Sequence, residues 1–132
     1  MSMSKIGLVS VVVRDYDEAI GFYVGKLGFN LIEDRLMVPD KRWVVVRPHG
    51  AHGSGLLLAQ AKNDDELSRV GNQTGGRVFL FLESDDFARD YEKFTANGVR
   101  FKELPRHEVY GSVAVFEDIC GNLWDLIERK TV

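Results

Sequence analysis

A chain of 132 residues, 45% of them hydrophobic, is long enough to bury roughly two-thirds of its unfolded surface as one domain over residues 1–132 without a covalent staple. Its net charge of −3, with both signs interspersed, excludes the basic stripe that nucleic acid or an anionic membrane surface requires. The lone Cys120 excludes an intrachain disulfide and a cysteine-based metal knuckle.

The first 29 residues organise the rest. Leu8 to Val13 is a valine-rich strand. Alternation puts Val9, Val11 and Val13 on one face and Leu8, Ser10 and Val12 on the other. Asp15 reads as a helix N-cap with Glu18 three residues on. Ala19, Ile20, Tyr23 and Leu27 form an apolar stripe, and Gly28 ends the helix. The valine face and the stripe are expected to pack together, leaving the second strand face open.

Phe29 to Glu33 is predicted as a strand, Asp34 to Lys41 as a turn, Trp43 to Arg47 as a strand, Pro48 to Ser54 as a loop and Gly55 to Ala61 as a fourth strand. The polar stretch over about 62–75 is a connector with one helical turn near Asp65 to Val70. The opening pattern then returns. Arg77 to Glu83 is a strand, a helix starts at Asp86 and closes at Gly98, and Val99 to Glu103, Ser112 to Glu117 and Asn122 to Glu128 supply three strands. Asp15 and Asp86, Ile20 and Tyr91, and Tyr23 and Phe94 are each 71 residues apart, whereas Gly98 falls one position short of that register. The expected fold is α+β: two tandem βαβββ modules, about 5–61 and 76–129, forming a concave mixed sheet with the helices on the outer face.

Asp15-Tyr16-Asp17-Glu18-Ala19-Ile20-Gly21-Phe22-Tyr23 followed by Leu27-Gly28-Phe29 resembles the opening signature of the vicinal oxygen chelate superfamily, which includes glyoxalases, bleomycin-resistance proteins, fosfomycin-resistance enzymes and extradiol dioxygenases. Phe116-Glu117-Asp118 with Gly121-Asn122-Leu123-Trp124-Asp125-Leu126 resembles the family's last turn and strand, with Ile119 where proline is usual. The resemblance implies a homodimer and one divalent metal, held by a histidine in the first strand of each unit and a carboxylate in the last strand of each. Here the histidine slots hold Leu8 and Phe79, one carboxylate slot holds Leu58 or Gln60, and Asp125 alone keeps a ligand-type side chain. One carboxylate is too few for a catalytic ion, which needs about three protein ligands. No cofactor is therefore expected, the alternative being one divalent metal ion.

Among the remaining residues, His49 and His52 lie in a glycine-rich loop and Asp64-Asp65-Glu66 in a solvated acidic turn. His107 follows Pro105 in a loop and is a weak candidate for a general base. With Trp124 and Leu126 in the core, alternation turns Asp125 to the concave face, where an apolar setting raises a carboxyl pKa and Arg77 or a cationic ligand is a partner for it; the alternative is a rim carboxylate bonded to water. Phe79 and Phe81 make the lining aromatic, Ser10, Gln60 and Tyr110 offer polar contacts, and Trp43 stacks on a flat ligand or covers the sheet edge.

Three functions are compatible with this pattern. The first is a metal-free binder of a small aromatic or hydrophobic molecule, cationic ones included. The second is a glyoxalase-like lyase or isomerase, with Asp125 or His107 moving protons. The third is a dimerisation module with no ligand. The opening MSMSK lacks the apolar core of a signal peptide, so a cytoplasmic location with no membrane partner is expected.

Overall fold

The computed structural model describes residues 2–50 and 53–130; the chain divides into two compact units, Met1–Arg69 and Val70–Val132, with the boundary inside the expected connector. His52 lies outside the described residues. Among those residues no helix is long and apolar enough to cross a membrane.

In the first unit, strands β1 (Leu8–Val13), β2 (Asn30–Val38), β3 (Lys41–Arg47) and β4 (Gly55–Gln60) form one sheet in the order β1-β4-β3-β2. β1 and β4 are parallel and the other pairs antiparallel. Helix α1 (Tyr16–Ile20) is capped by Asp15, whose carboxylate accepts from the Glu18 N–H at 2.8 Å, and runs on as a π-helical turn over Gly21–Lys26. A short α2 (Asp64–Arg69) ends the unit. The β1 alternation is as expected: Val11 and Val13 are buried on the helix side, while Leu8 is 41% exposed and Ser10 is exposed. Val11, Val44, Leu58, Ala19 and Tyr23 are the centre of this core. Removing such side chains from water stabilises the fold by about 1.5–3 kcal/mol for each large one.

In the second unit, β5 (Val78–Glu83) leads into α3 (Phe87–Ala96), capped by Asp86, and then to β6 (Arg100–Phe101), β7 (Arg106–Glu108), β8 (Gly111–Glu117) and β9 (Leu123–Arg129). The sheet order is β5-β9-β8-β6, with β7 also paired to β8. Its core is aromatic, with Phe116 edge-on to Phe94 at 5.7 Å and stacked on Trp124 at 5.8 Å.

Three local expectations are corrected. The predicted turn over Asp34 to Lys41 shrinks to residues 39–40, because Leu36 and Val38 remain in the ladder with Arg42 and Lys41. The strand predicted over Val99 to Glu103 is only Arg100–Phe101, and the segment read as a loop around His107 contains β7. Pro105, with no N–H to donate, interrupts what would be one strand. The pairs Arg100 with Glu117 and Glu108 with Gly111 each lie 70 residues after Asn30 with Arg47 and Val38 with Lys41. β6 and β7 together are thus the counterpart of β2.

The one-residue mismatch between the two helix closures has a physical cause. Gly28 and Gly98 both take the left-handed conformation that ends a helix, with φ of 77° and 86°. The Phe29 N–H reaches back six residues to the Tyr23 carbonyl, whereas the Val99 N–H reaches back five, to Phe94. The π-helical turn therefore holds one extra residue after Tyr23, and it lets adjacent Phe22 and Tyr23 both be buried.

Candidate functional site

Each sheet has one face under its helix and one face away from it, and the strand register assigns the side chains. In the second unit Phe81, Asp125 and Val115 form a row across β5, β9 and β8 on the face away from the helix, while Trp124 and Leu126 are buried on the helix side. Phe81 is 60% exposed. Asp125 is half-buried, and its Oδ1 is buried with no hydrogen-bond partner among the described residues. Desolvation by burial raises its carboxyl above the ordinary aspartate range; Arg106 opposes that shift and Glu103 adds to it. These two charges act on Asp125 in place of the expected Arg77, which is exposed just before β5.

Arg106 is itself held in place. Its Nε donates to Glu103 at 3.0 Å, and its Nη1 lies 3.4 Å from the Tyr110 hydroxyl and 3.7 Å from Glu108. Its guanidinium is held above its usual pKa, chiefly by Glu103. Tyr110 thus belongs to the arginine's surroundings on this unit. No sequence signal marks Arg106, because Arg106, His107 and Glu108 are all polar and show no alternation that would give a strand face. The 70-residue offset from β2 would have placed it.

His107 is not part of this group. It neighbours Arg106 on β7, so its side chain lies on the opposite face, with Nδ1 2.9 Å from Ser112 Oγ and the ring edge-on to Phe87. Its place beside the start of α3 separates it from Asp125 by the thickness of the sheet.

In the first unit the corresponding face carries Leu8, Ser10, Leu57, Val45, Trp43 and Arg47. Trp43 donates its indole N–H to Glu33 at 2.8 Å, which fixes the ring along β2. Gln60 is turned the other way: its Oε1 accepts from the Tyr16 N–H at 3.2 Å and caps α1. Exposed His49 lies in the loop after β3.

Pairing also corrects two slots. Val44 pairs with Leu58 as Ala114 pairs with Leu126, so Leu58 is the counterpart of Leu126, and Leu57 is the counterpart of Asp125. Leu8 lies opposite Gly55 and Val78 opposite Leu123, while Phe79 occupies a bulge between Val78 and Leu80. Val78, not Phe79, is therefore the partner of Leu8 by register. Either way the slots hold hydrocarbon, and the residues present do not fit the divalent metal that the resemblance implies. Among the described residues no three His, Cys, Asp or Glu side chains come together to hold an ion.

Beyond the open faces, Asp118 organises the turn before β9. It is 5% exposed, its Oδ1 accepts from the N–H groups of Cys120, Gly121 and Asn122 at 2.9–3.0 Å, and its Oδ2 accepts from the Asn122 side chain at 3.1 Å. Asn122 Oδ1 in turn accepts from the Gln73 N–H.

Residues 5–126 match the model of the Glyoxalase/Bleomycin resistance protein/Dioxygenase superfamily. An uncharacterized protein of Shewanella frigidimarina is 55% identical over 91% of this chain and 90% of its own. TnmS3, described as an antibiotic binding protein from Streptomyces sp. CB03234, is similar in structure with a TM-score of 0.78 and 30% identity, over 98% of this chain and 99% of its own. The structure of UcmS2 gives a TM-score of 0.82 at 25% identity, over 96% and 98%.

Proposed function

The chain belongs to the Glyoxalase/Bleomycin resistance protein/Dioxygenase superfamily, and from that premise we propose that it is a metal-independent binder of a small aromatic or hydrophobic molecule. Pairing register carries this reading: Leu8, Val78 and Leu57 stand where donors would be needed, and of the four slots Asp125, beside Phe81, is the one with a carboxylate. The similarity to TnmS3, an antibiotic binding protein, supports it.

Asp125 is the orienting group in this reading. A carboxylate whose Oδ1 is buried and unpaired favours a ligand that brings a hydrogen-bond donor or a positive charge. Phe81 supplies an exposed ring for flat or cationic groups. A homodimer and a cytoplasmic location complete the reading, and light scattering at several concentrations reports on the first.

Thermal melts of the tag-free protein against a panel of planar and cationic aromatic compounds test the proposal, with elemental analysis of the same sample. A ligand at a hundredfold excess over Kd stabilises by about 2.7 kcal/mol, a shift that melts resolve. A stabilising compound whose effect weakens in Asp125→Asn, in protein free of metal, supports the reading. A panel with no stabilising compound, or a near-stoichiometric transition metal held at Asp125, overturns it.

A further inference from the structure

The face of the first unit away from its helix ends in an arginine that lacks an ion-pair partner among the described residues. Arg47 closes β3; it is half-buried, and its Nε is buried with no hydrogen-bond partner. Its neighbour on β2 is Asn30, and the β3–β4 pairing ends at Val46 with Leu56, one residue short of Arg47 and Gly55. Gly55 brings no side chain, and the space over it is closed by the neighbours: a Cβ there would meet Leu8 Cδ2 at 3.1 Å, Val45 Cγ1 at 3.2 Å and the Val46 carbonyl oxygen at 3.3 Å. Leu8 therefore leans over Gly55 toward the end of β3, and an apolar side chain, a cation and an amide follow one another as Leu8, Arg47 and Asn30.

The second unit answers the same position differently. Glu117, 70 residues after Arg47, is paired with Arg100 at 3.3 Å and Lys102 at 3.8 Å. Trp43 and Val45, on the same face as Arg47, carry no anion, and the nearby Glu33 is engaged by the Trp43 indole and by Arg35 at 3.9 Å. A guanidinium donor removed from water and left unpaired is unfavourable, and a planar carboxylate is the group whose geometry matches its fork.

We propose that the open face of the first unit is a subsite for an aromatic or hydrophobic ligand bearing a carboxylate, with Arg47 taking the carboxylate and the exposed Leu8 side chain taking the apolar part. The proposal deepens the small-molecule reading and rests on it.

The test compares 2-naphthoate with its neutral isostere 2-naphthamide by calorimetry and thermal shift, on the wild-type protein and on Arg47→Met, Arg47→Lys and the control Arg14→Met, whose arginine pairs with Glu18 beside α1. Expected is about a tenfold preference of the wild type for naphthoate, reduced to within about twofold in Arg47→Met and unchanged in Arg14→Met. Arg47→Met removes an unpaired buried donor, so its melting temperature without ligand equals or exceeds that of the wild type. If Arg47→Met does not fold, Arg47→Lys decides: a preference cut by about threefold or more supports the fork, and an undiminished preference overturns it. Equal binding of the two compounds overturns the Arg47 assignment and leaves the small-molecule reading standing. Binding of neither overturns the assignment, and the wider compound panel then judges the reading.

Discussion

Gln60 and Glu128 occupy the same place in the two units: each side chain accepts the first N–H of its own unit's helix, from Tyr16 at 3.2 Å and from Phe87 at 2.7 Å. Both are the residue two beyond a fully buried leucine of the last strand, Leu58 and Leu126. The sheet thereby satisfies a helix donor that has no partner inside the helix.

Removing either acceptor therefore loosens the junction between strand and helix. Gln60→Ala costs about 1 kcal/mol, and Glu128→Ala about 1.5–3 kcal/mol because its acceptor is a carboxylate. Glu128→Gln keeps an acceptor and loses less. Urea unfolding of the three variants checks the order.

Asp118→Ala is the more damaging change. It takes the carboxylate acceptor from the N–H groups of Cys120 and Asn122 and from the Asn122 side chain, while the Gly121 N–H keeps the Asp118 backbone carbonyl at 3.0 Å; the cost is about 2–3 kcal/mol in total after partial rehydration. Chemical denaturation measures it, and a loss under about 1 kcal/mol would show that water replaces the carboxylate.

The π-helical turn predicts tolerance to shortening. Deleting Gly25 brings the first helix to the length of the second, from Asp86 to Gly98, and the variant is expected to fold with the far-UV spectrum of the wild type. Gly28→Ala, by contrast, puts a Cβ on a residue at φ 77° and costs about 1 kcal/mol. A deletion variant less stable than Gly28→Ala would refute the insertion account.

Burial raises the Asp125 carboxyl above its ordinary 3.8, with Arg106 pulling it down and Glu103 pushing it up. The folded chain then keeps this proton at pH values where the unfolded chain has released it. Asp125 consequently contributes a loss of stability as pH rises from 3.8 through its folded value, and Asp125→Asn removes that slope. Urea titrations of both proteins between about pH 3.5 and pH 6 check the sign: the variant gains on the wild type as pH increases.

How far the chain could be read from its residues depended on what kind of force shapes each part. The β1 valines and the Asp15 and Asp86 caps are local signals, and the burial of Val11 and Val13 and the two capping bonds follow from them. The direction of Asp125 followed from alternation with Trp124 and Leu126. β7 was illegible because Arg106, His107 and Glu108 have no strand pattern of their own; pairing with β8 makes them a strand. The slots at Leu58 and Phe79 were misplaced by one residue each, because a bulge and a shorter last loop change the repeat offset along the chain. Arg47 shares the strand face of Trp43 by alternation, so its direction is legible in the sequence.

The interruption at Pro105 makes the outer borders of the two sheets unequal. β2 is nine residues long, exposed throughout, and carries Leu36, Met37 and Val38, whereas its counterpart is broken into pieces of two and three residues. A foreign strand can zip along the first border but finds no continuous template on the second. Should this chain aggregate, the fibre-forming contact will begin at β2, and a proline placed at an outward-facing N–H of that strand will suppress it.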